Sequence, residues 1–75
     1  METIRVVSHA GYQAEEYPLR FSSCDGRSVE ILSVKKRWLT PGNKWFRVLG
    51  ADNILYDLRY EIRNDTWSLA AVNRP

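Results

Sequence analysis

Along this chain the apolar positions recur at every second residue, in short runs broken by turn-forming residues. From Ile54 to Ile62 the even positions read Ile54, Tyr56, Leu58, Tyr60 and Ile62, while the odd ones read Leu55, Asp57, Arg59 and Glu61. A period of two places the first set on one face of a strand and the second on the other, so this segment is a half-buried β-strand. From Tyr17 onward the chain is punctuated by Asp25-Gly26, Pro41-Gly42, Gly50-Ala51-Asp52-Asn53 and Asn64-Asp65. Connections that short fold a strand back onto its neighbour, which predicts an antiparallel meander. No segment after Tyr17 sustains a three-to-four-residue apolar period, leaving helix a minor component at most.

The turns also set registers. Cys24-Asp25-Gly26 suits a three-residue loop with Gly26 left-handed, pairing Phe21 with Val29, Leu19 with Ile31 and Arg20 with Glu30. A type II turn at Thr40-Pro41-Gly42-Asn43 sets Trp38 opposite Trp45. An even-length loop through Gly50 to Asn53 sets Trp45 opposite Leu58 and Leu49 beside Ile54. A two-residue turn at Asn64-Asp65 sets Ile62 opposite Trp67, Tyr60 opposite Leu69 and Leu58 opposite Ala71. These registers agree on one buried face of Val34, Trp38, Trp45, Leu49, Ile54, Tyr56, Leu58, Tyr60, Ile62, Trp67 and Leu69, and a slip of one residue would turn a whole strand's set into solvent. Val29 and Ile31 are odd-numbered whereas Leu32, Val34 and Trp38 are even, so the strand from Arg27 to Leu39 must change faces near Ile31-Leu32, as a β-bulge allows. A strand bent between two hairpins curls a sheet over itself. The expected fold is all-β: five to six antiparallel strands over residues 17–75, forming a small half-open barrel or a strongly twisted sheet. Residues 1–16 form an N-terminal segment with a candidate strand at 3–7 and a linker-like stretch from Ser8 to Glu16.

Pro18-x-Arg20-Phe21, Gly26-Arg27, Val34 with Arg37-Trp38, Trp45-Phe46-Arg47-Val48, Tyr56-x-Leu58-Arg59 and Trp67-x-Leu69-Ala70 resemble, in order and spacing, a group of short uncharacterised bacterial proteins. The match covers residues 17–72. What the resemblance implies is a compact bacterial β-module; it carries over no catalytic residue.

Composition narrows the class. With 75 residues there is one domain and a thin core, because a chain this short buries only about 60% of its unfolded surface. At 44% hydrophobic and 12% aromatic residues it is too apolar for a disordered segment. A solitary Cys24 makes no internal disulfide, and with one His9 it makes no ordinary zinc site. Small cores without such staples are often completed by self-association, which makes a homodimer a candidate state. Met1 to Ala10 lacks the apolar run of a secretory signal, and no 18-residue apolar stretch exists for a membrane span, so the expected location is the cytoplasm. Eleven basic against nine acidic residues leave +2, and a pI of 8.9 stops short of the threshold near 9 that points to nucleic acid on charge alone.

Candidate chemistry is sparse. Cys24 and His9 are the only nucleophile and base of an acyl-transfer type, with His9 in the weakest part of the pattern. Asp52 with Asp57 and Asp65 with Glu61 are the candidate carboxylate pairs, but an Asp at a turn usually binds its own backbone. The four glycines are isolated at turns, so no phosphate loop exists. No catalytic, cofactor-binding or metal-binding residue, no cofactor and no small-molecule substrate is predicted, and the chain is not expected to be an enzyme.

Two surfaces could bind. In the registers above, Lys35, Arg37, Lys44, Phe46 and Arg59 share the outer face, with Arg63 near one end, a basic and aromatic combination that suits single-stranded nucleic acid. Asp57 and Glu61 on that face weigh against it. Leu39, Phe46, Val48 and Leu55 form an apolar outer cluster, a candidate interface with a second copy or another protein unless Ile4, Val6 and Val7 cover it. Lys36 and Arg47 oppose each other on the nominal core face, where buried like charges are costly. Either they line the mouth of the barrel or the register differs there. The expected function is a small non-enzymatic binding module for protein–protein contact or self-association, with weak sequence-tolerant nucleic-acid binding as the alternative.

Overall fold

The computed structural model describes residues 2–9 and 17–73, without the side chains of Ser8, His9, Tyr17 and Leu19. Six strands, β1 (Glu2–His9), β2 (Tyr17–Ser22), β3 (Ser28–Thr40), β4 (Asn43–Gly50), β5 (Leu55–Glu61) and β6 (Thr66–Asn73), pair antiparallel in chain order. The sheet then closes on itself, because Glu2, Thr3 and Ile4 of β1 pair with Leu69, Ser68 and Trp67 of β6. The protein is therefore an all-β antiparallel barrel, closed rather than half-open. The expected linker residues 10–16 lie outside the described residues.

Two turns form as their residue types require. Phe21 pairs with Val29 and Arg20 with Glu30 across a loop in which Gly26 has φ 90° and the Ser23 N–H donates to the Arg27 carbonyl at 2.8 Å. Trp38 pairs with Trp45 and Thr40 with Asn43, with Gly42 at φ 81° in the turn between them. Both glycines occupy the left-handed region, where a side chain costs free energy.

The β4–β5 connection departs from expectation, and the departure reverses β4. The Gly50 N–H donates to the Ile54 carbonyl at 2.9 Å, and the Asn53 N–H donates to the Gly50 carbonyl at 2.9 Å, with Asn53 itself left-handed at φ 65°. The loop is thus Ala51-Asp52-Asn53, an odd number of residues, closed in the manner of a type I turn followed by a left-handed residue. One residue of slip sets Phe46, not Trp45, opposite Leu58, and Leu49 opposite Leu55 rather than beside Ile54. Phe46 and Val48 therefore face inward, only 4% and 0% exposed, while Trp45, Arg47 and Leu49 face outward.

The β5–β6 turn is longer than expected by two residues at its base, pairing Tyr60 with Trp67 and Leu58 with Leu69. An offset of two preserves the faces, so Trp67 and Leu69 pack on the core as predicted, and only Ile62 is displaced into the exposed turn. On β3 the register shifts between Ile31 and Ser33, at the expected bend, and again between Val34 and Lys36. The first shift leaves Leu32 64% exposed while Val29, Ile31 and Val34 all pack on the core. The second sends Trp38 outward. The core is Ile4, Phe21, Phe46, Val48, Tyr56 and Leu58, with Val6, Trp67 and Leu69 packed against it, so β1 supplies interior residues and not merely a cover. Full burial of a side chain the size of Val48 or Leu58 contributes about 1.5–3 kcal/mol. Phe21 meets Tyr56 edge-on, with ring centroids 4.9 Å apart.

Candidate interaction face

The reversal of β4 redistributes the residues singled out for binding. Phe46 and Val48 are core residues, so neither belongs to a surface, and both expected clusters lose their centre. Leu39, 73% exposed, pairs with Lys44, and Arg37 pairs with Phe46, which puts Arg37, Leu39 and Lys44 on the core-facing side of the β3–β4 hairpin where it runs out into solvent. Lys35 is exposed in the second bulge. Leu55 is half-buried opposite Leu49. Arg59 lies on the other side of the sheet, opposite Trp45 on β4 and Ser68 on β6.

What the fold brings together instead is an outer cluster on β3, β4 and β5. Trp38 and Trp45 stack nearly parallel, 7° between planes and 5.7 Å between centroids. The Trp45 Nε1–H donates to Thr40 Oγ1 at 2.7 Å, fixing the indole in its plane. Lys36 Nζ lies over the Trp38 ring at 5.5 Å from its centroid and the Arg47 guanidinium carbon at 5.8 Å, both within the range of cation–π attraction. Arg47 is held in turn by Asp57, directly opposite it, with Nε 2.8 Å from Oδ1 and Nη2 3.1 Å from Oδ2. This two-pronged pair orients the guanidinium as well as attracting it. Hydrogen bonding to the Asp57 carboxylate, with its charge, pushes the Arg47 pKa above its ordinary value. Arg59 reaches Glu61 more loosely, with Nη2 3.6 Å from Oε2.

Lys36 and Arg47 do face each other, as the turn at Pro41-Gly42 predicts, but on the outside. Their apparent conflict was the one sign in the sequence that the β4 faces were exchanged. The turn at Pro41-Gly42 also pairs Trp38 with Trp45, as observed, but the expected face is the interior and the observed one is the outside. An even-length β4–β5 loop puts Arg47 and Asp57 on opposite faces, so only the odd loop brings this pair together.

The candidate carboxylates have structural duties. Asp52 accepts from the Ile54 N–H at 3.2 Å and from the Tyr56 hydroxyl. Asp65 accepts from the Tyr60 hydroxyl at 2.6 Å, and Glu61 accepts from the Asn64 amide. Asp25 accepts from Ser23 Oγ and from the Arg27 N–H, and these bonds hold its pKa below the ordinary 3.8. The exposed Cys24 donates its N–H to Glu2 Oε2 at 3.2 Å, and the side chain of His9 lies outside the described residues. Among the described residues no group of three or more His, Cys, Asp or Glu is placed to hold a metal, and no helix is long and apolar enough to cross a membrane. A mixed polar and apolar cleft of about 380 Å³ opens at one end of the barrel between Glu2, Phe21, Asp25, Asp52 and Tyr56. No protein-family model, curated protein or solved structure matches this chain.

Proposed function

We propose that the protein is a small non-enzymatic binding module of the bacterial cytoplasm that contacts another protein through the outer face of β3, β4 and β5. The observation that carries this reading is the Trp38–Trp45 stack held on the outside of the barrel with Arg47 locked over it by Asp57. Trp and Arg are the residue types that dominate the energetics of protein interfaces, above all where they are already fixed before binding. The same observation speaks against base stacking. Trp38 is covered by Trp45 and overlain by two cations, so its ring has little face to offer a nucleobase. The two arginines of the face are matched by Asp57 and Glu61, which would repel phosphates.

The test compares wild type with Trp45→Ala in affinity capture of partner proteins, with circular dichroism to confirm that both fold. A partner recovered by the wild type and lost from a folded Trp45→Ala supports the face as the contact. Equal recovery by the two removes it. Sedimentation over a range of concentrations reads self-association, and any that runs through this face is abolished by Trp45→Ala.

A further inference from the structure

We infer that the ligand of this face is an acidic protein segment, one that presents carboxylates beside an apolar anchor. The inference rests on the binding-module reading and adds to it the partner's chemistry. The face carries Lys36, Arg47 and Arg59 against Asp57 and Glu61. Its two carboxylates are taken up by its two arginines, at 2.8 Å for Arg47 and 3.6 Å for Arg59. Among the described residues Lys36 meets the Trp38 ring but makes no ion pair, and neither does the adjoining Lys35, exposed in the bulge. The arginines and acids thus build the platform, and among the described residues the lysines beside it carry charge that no carboxylate matches. An incoming carboxylate would satisfy Lys35 and Lys36 without disturbing the Arg47–Asp57 pair, while an apolar side chain, which needs no flat ring face, packs against the indole edges.

The alternatives fit less well on the same grounds. A second copy joined through this face would bring the same surplus of positive charge, Lys35 and Lys36 beside the two arginine–carboxylate pairs, against itself. A nucleic acid would find phosphate-binding lysines but occupied rings and two carboxylates in its path.

The experiment uses the full chain and three fluorescently labelled probes: a Glu-Leu alternating peptide, its Gln-Leu counterpart and an oligo(dT). Polarisation should rise and saturate with the Glu-Leu probe, and the affinity should fall about tenfold or more between low salt and about 0.5 M NaCl. The Gln-Leu probe and the oligonucleotide should bind at least about tenfold more weakly. Lys35→Gln with Lys36→Gln should weaken the Glu-Leu probe by a similar factor while the chain stays folded by circular dichroism, its melting temperature lowered by no more than about 4–8 °C through loss of the Lys36–Trp38 contact. Equal binding of the Glu-Leu and Gln-Leu probes, tighter binding of the oligonucleotide, or no binding of any probe would each overturn the acidic-partner assignment. The two readings fail separately. If Trp45→Ala still loses a captured partner while the Glu-Leu probe does not bind, the face stands and its charge preference falls. If capture is indifferent to Trp45, the face itself is wrong.

Discussion

Exchanging the two faces of β4 makes an asymmetric demand on adjacent residues, Trp45 and Phe46. Truncating Phe46 to Ala deletes a ring that is 4% exposed and touches Trp67 at a centroid distance of 5.5 Å. Such a deletion in a core costs about 3–5 kcal/mol, transfer of the ring plus the cavity it leaves. Truncating Trp45 removes a larger side chain that is partly buried but borders solvent, so water fills the space it leaves; the loss is the aromatic pair with Trp38 and the buried part of the indole, together about 2–4 kcal/mol. A domain of 75 residues has a total stability of roughly 4–11 kcal/mol, so Phe46→Ala, which leaves an enclosed cavity, consumes a larger part of it than Trp45→Ala. In a chain of this size about 1 kcal/mol moves the melting temperature by about 4–8 °C, well within the resolution of thermal circular dichroism. Urea unfolding of both variants gives the free energies directly. If Phe46→Ala fails to fold, Val48→Thr replaces it: a hydroxyl placed where Val48 is 0% exposed costs about 1–3 kcal/mol. Leu49→Gln on the outer face should stay within about 1 kcal/mol. A Trp45→Ala more damaging than Phe46→Ala, or a Leu49→Gln more damaging than Val48→Thr, would put the other face of β4 inside and dissolve the proposed interaction surface.

Two further outcomes follow from the turns. Asp25 has a folded-state pKa below its unfolded 3.8, so it stabilises the fold above that value and the contribution disappears as pH falls through the folded pKa; the melting-temperature difference between wild type and Asp25→Asn should be present at neutral pH and vanish in acid. A difference that grows on acidification would contradict the Ser23 and Arg27 hydrogen bonds. At Gly50 a Cβ would stand 2.6 Å from Asp52 Oδ1, 2.8 Å from Val29 Cγ1 and 3.0 Å from Tyr56 Cε2, so Gly50→Ala should cost about 1–3 kcal/mol in urea unfolding through overpacking at the turn. Neutral behaviour there would mean that the β4–β5 loop is more open than these distances allow.

How far the sequence could be read depended on what each turn demands of its residues. Gly26 and Gly42 sit at positive φ, where the backbone nearly requires glycine, and both hairpins formed in the predicted register. The left-handed residue of the β4–β5 loop is Asn53, a type that tolerates that conformation without announcing it. The loop could be counted as even or odd, and the odd count sends Phe46 inward and Trp45 outward. The β5–β6 turn is longer than the two-residue expectation by an even number, which keeps the faces and moves only Ile62. Closure by β1 was not decidable from Thr3 to Val7, since alternation over so few residues does not name its partner, and it is the pairing of Ile4 with Trp67 that makes the sheet a barrel. Of the expected binding residues, the basic ones remained at the surface because charge keeps them there in either register. Phe46 and Val48 moved inside while Leu39 stayed exposed and Leu55 half-buried, because hydrophobicity alone does not distinguish Phe46 from Trp45.

That distinction has a physical basis once the neighbours are included. An indole can lie outside a barrel at low cost if its faces are covered and its N–H is satisfied, and Trp45 has Trp38 and Thr40 for those purposes. A phenyl ring has no polar edge to present to water, so Phe46 gains more from the interior beside Trp67 than Trp45 would. Arg47 sharpens the choice. Were β4 reversed, Arg47 would enter the core and Asp57 would stay outside, leaving a buried charge without its partner, a penalty of several kcal/mol. The pair that orients the outer platform is thus also what makes the alternative register untenable. Stability and interaction draw on the same residues here, and replacing Asp57 should loosen Arg47 over Trp38 and weaken the strand's preference for its native face together.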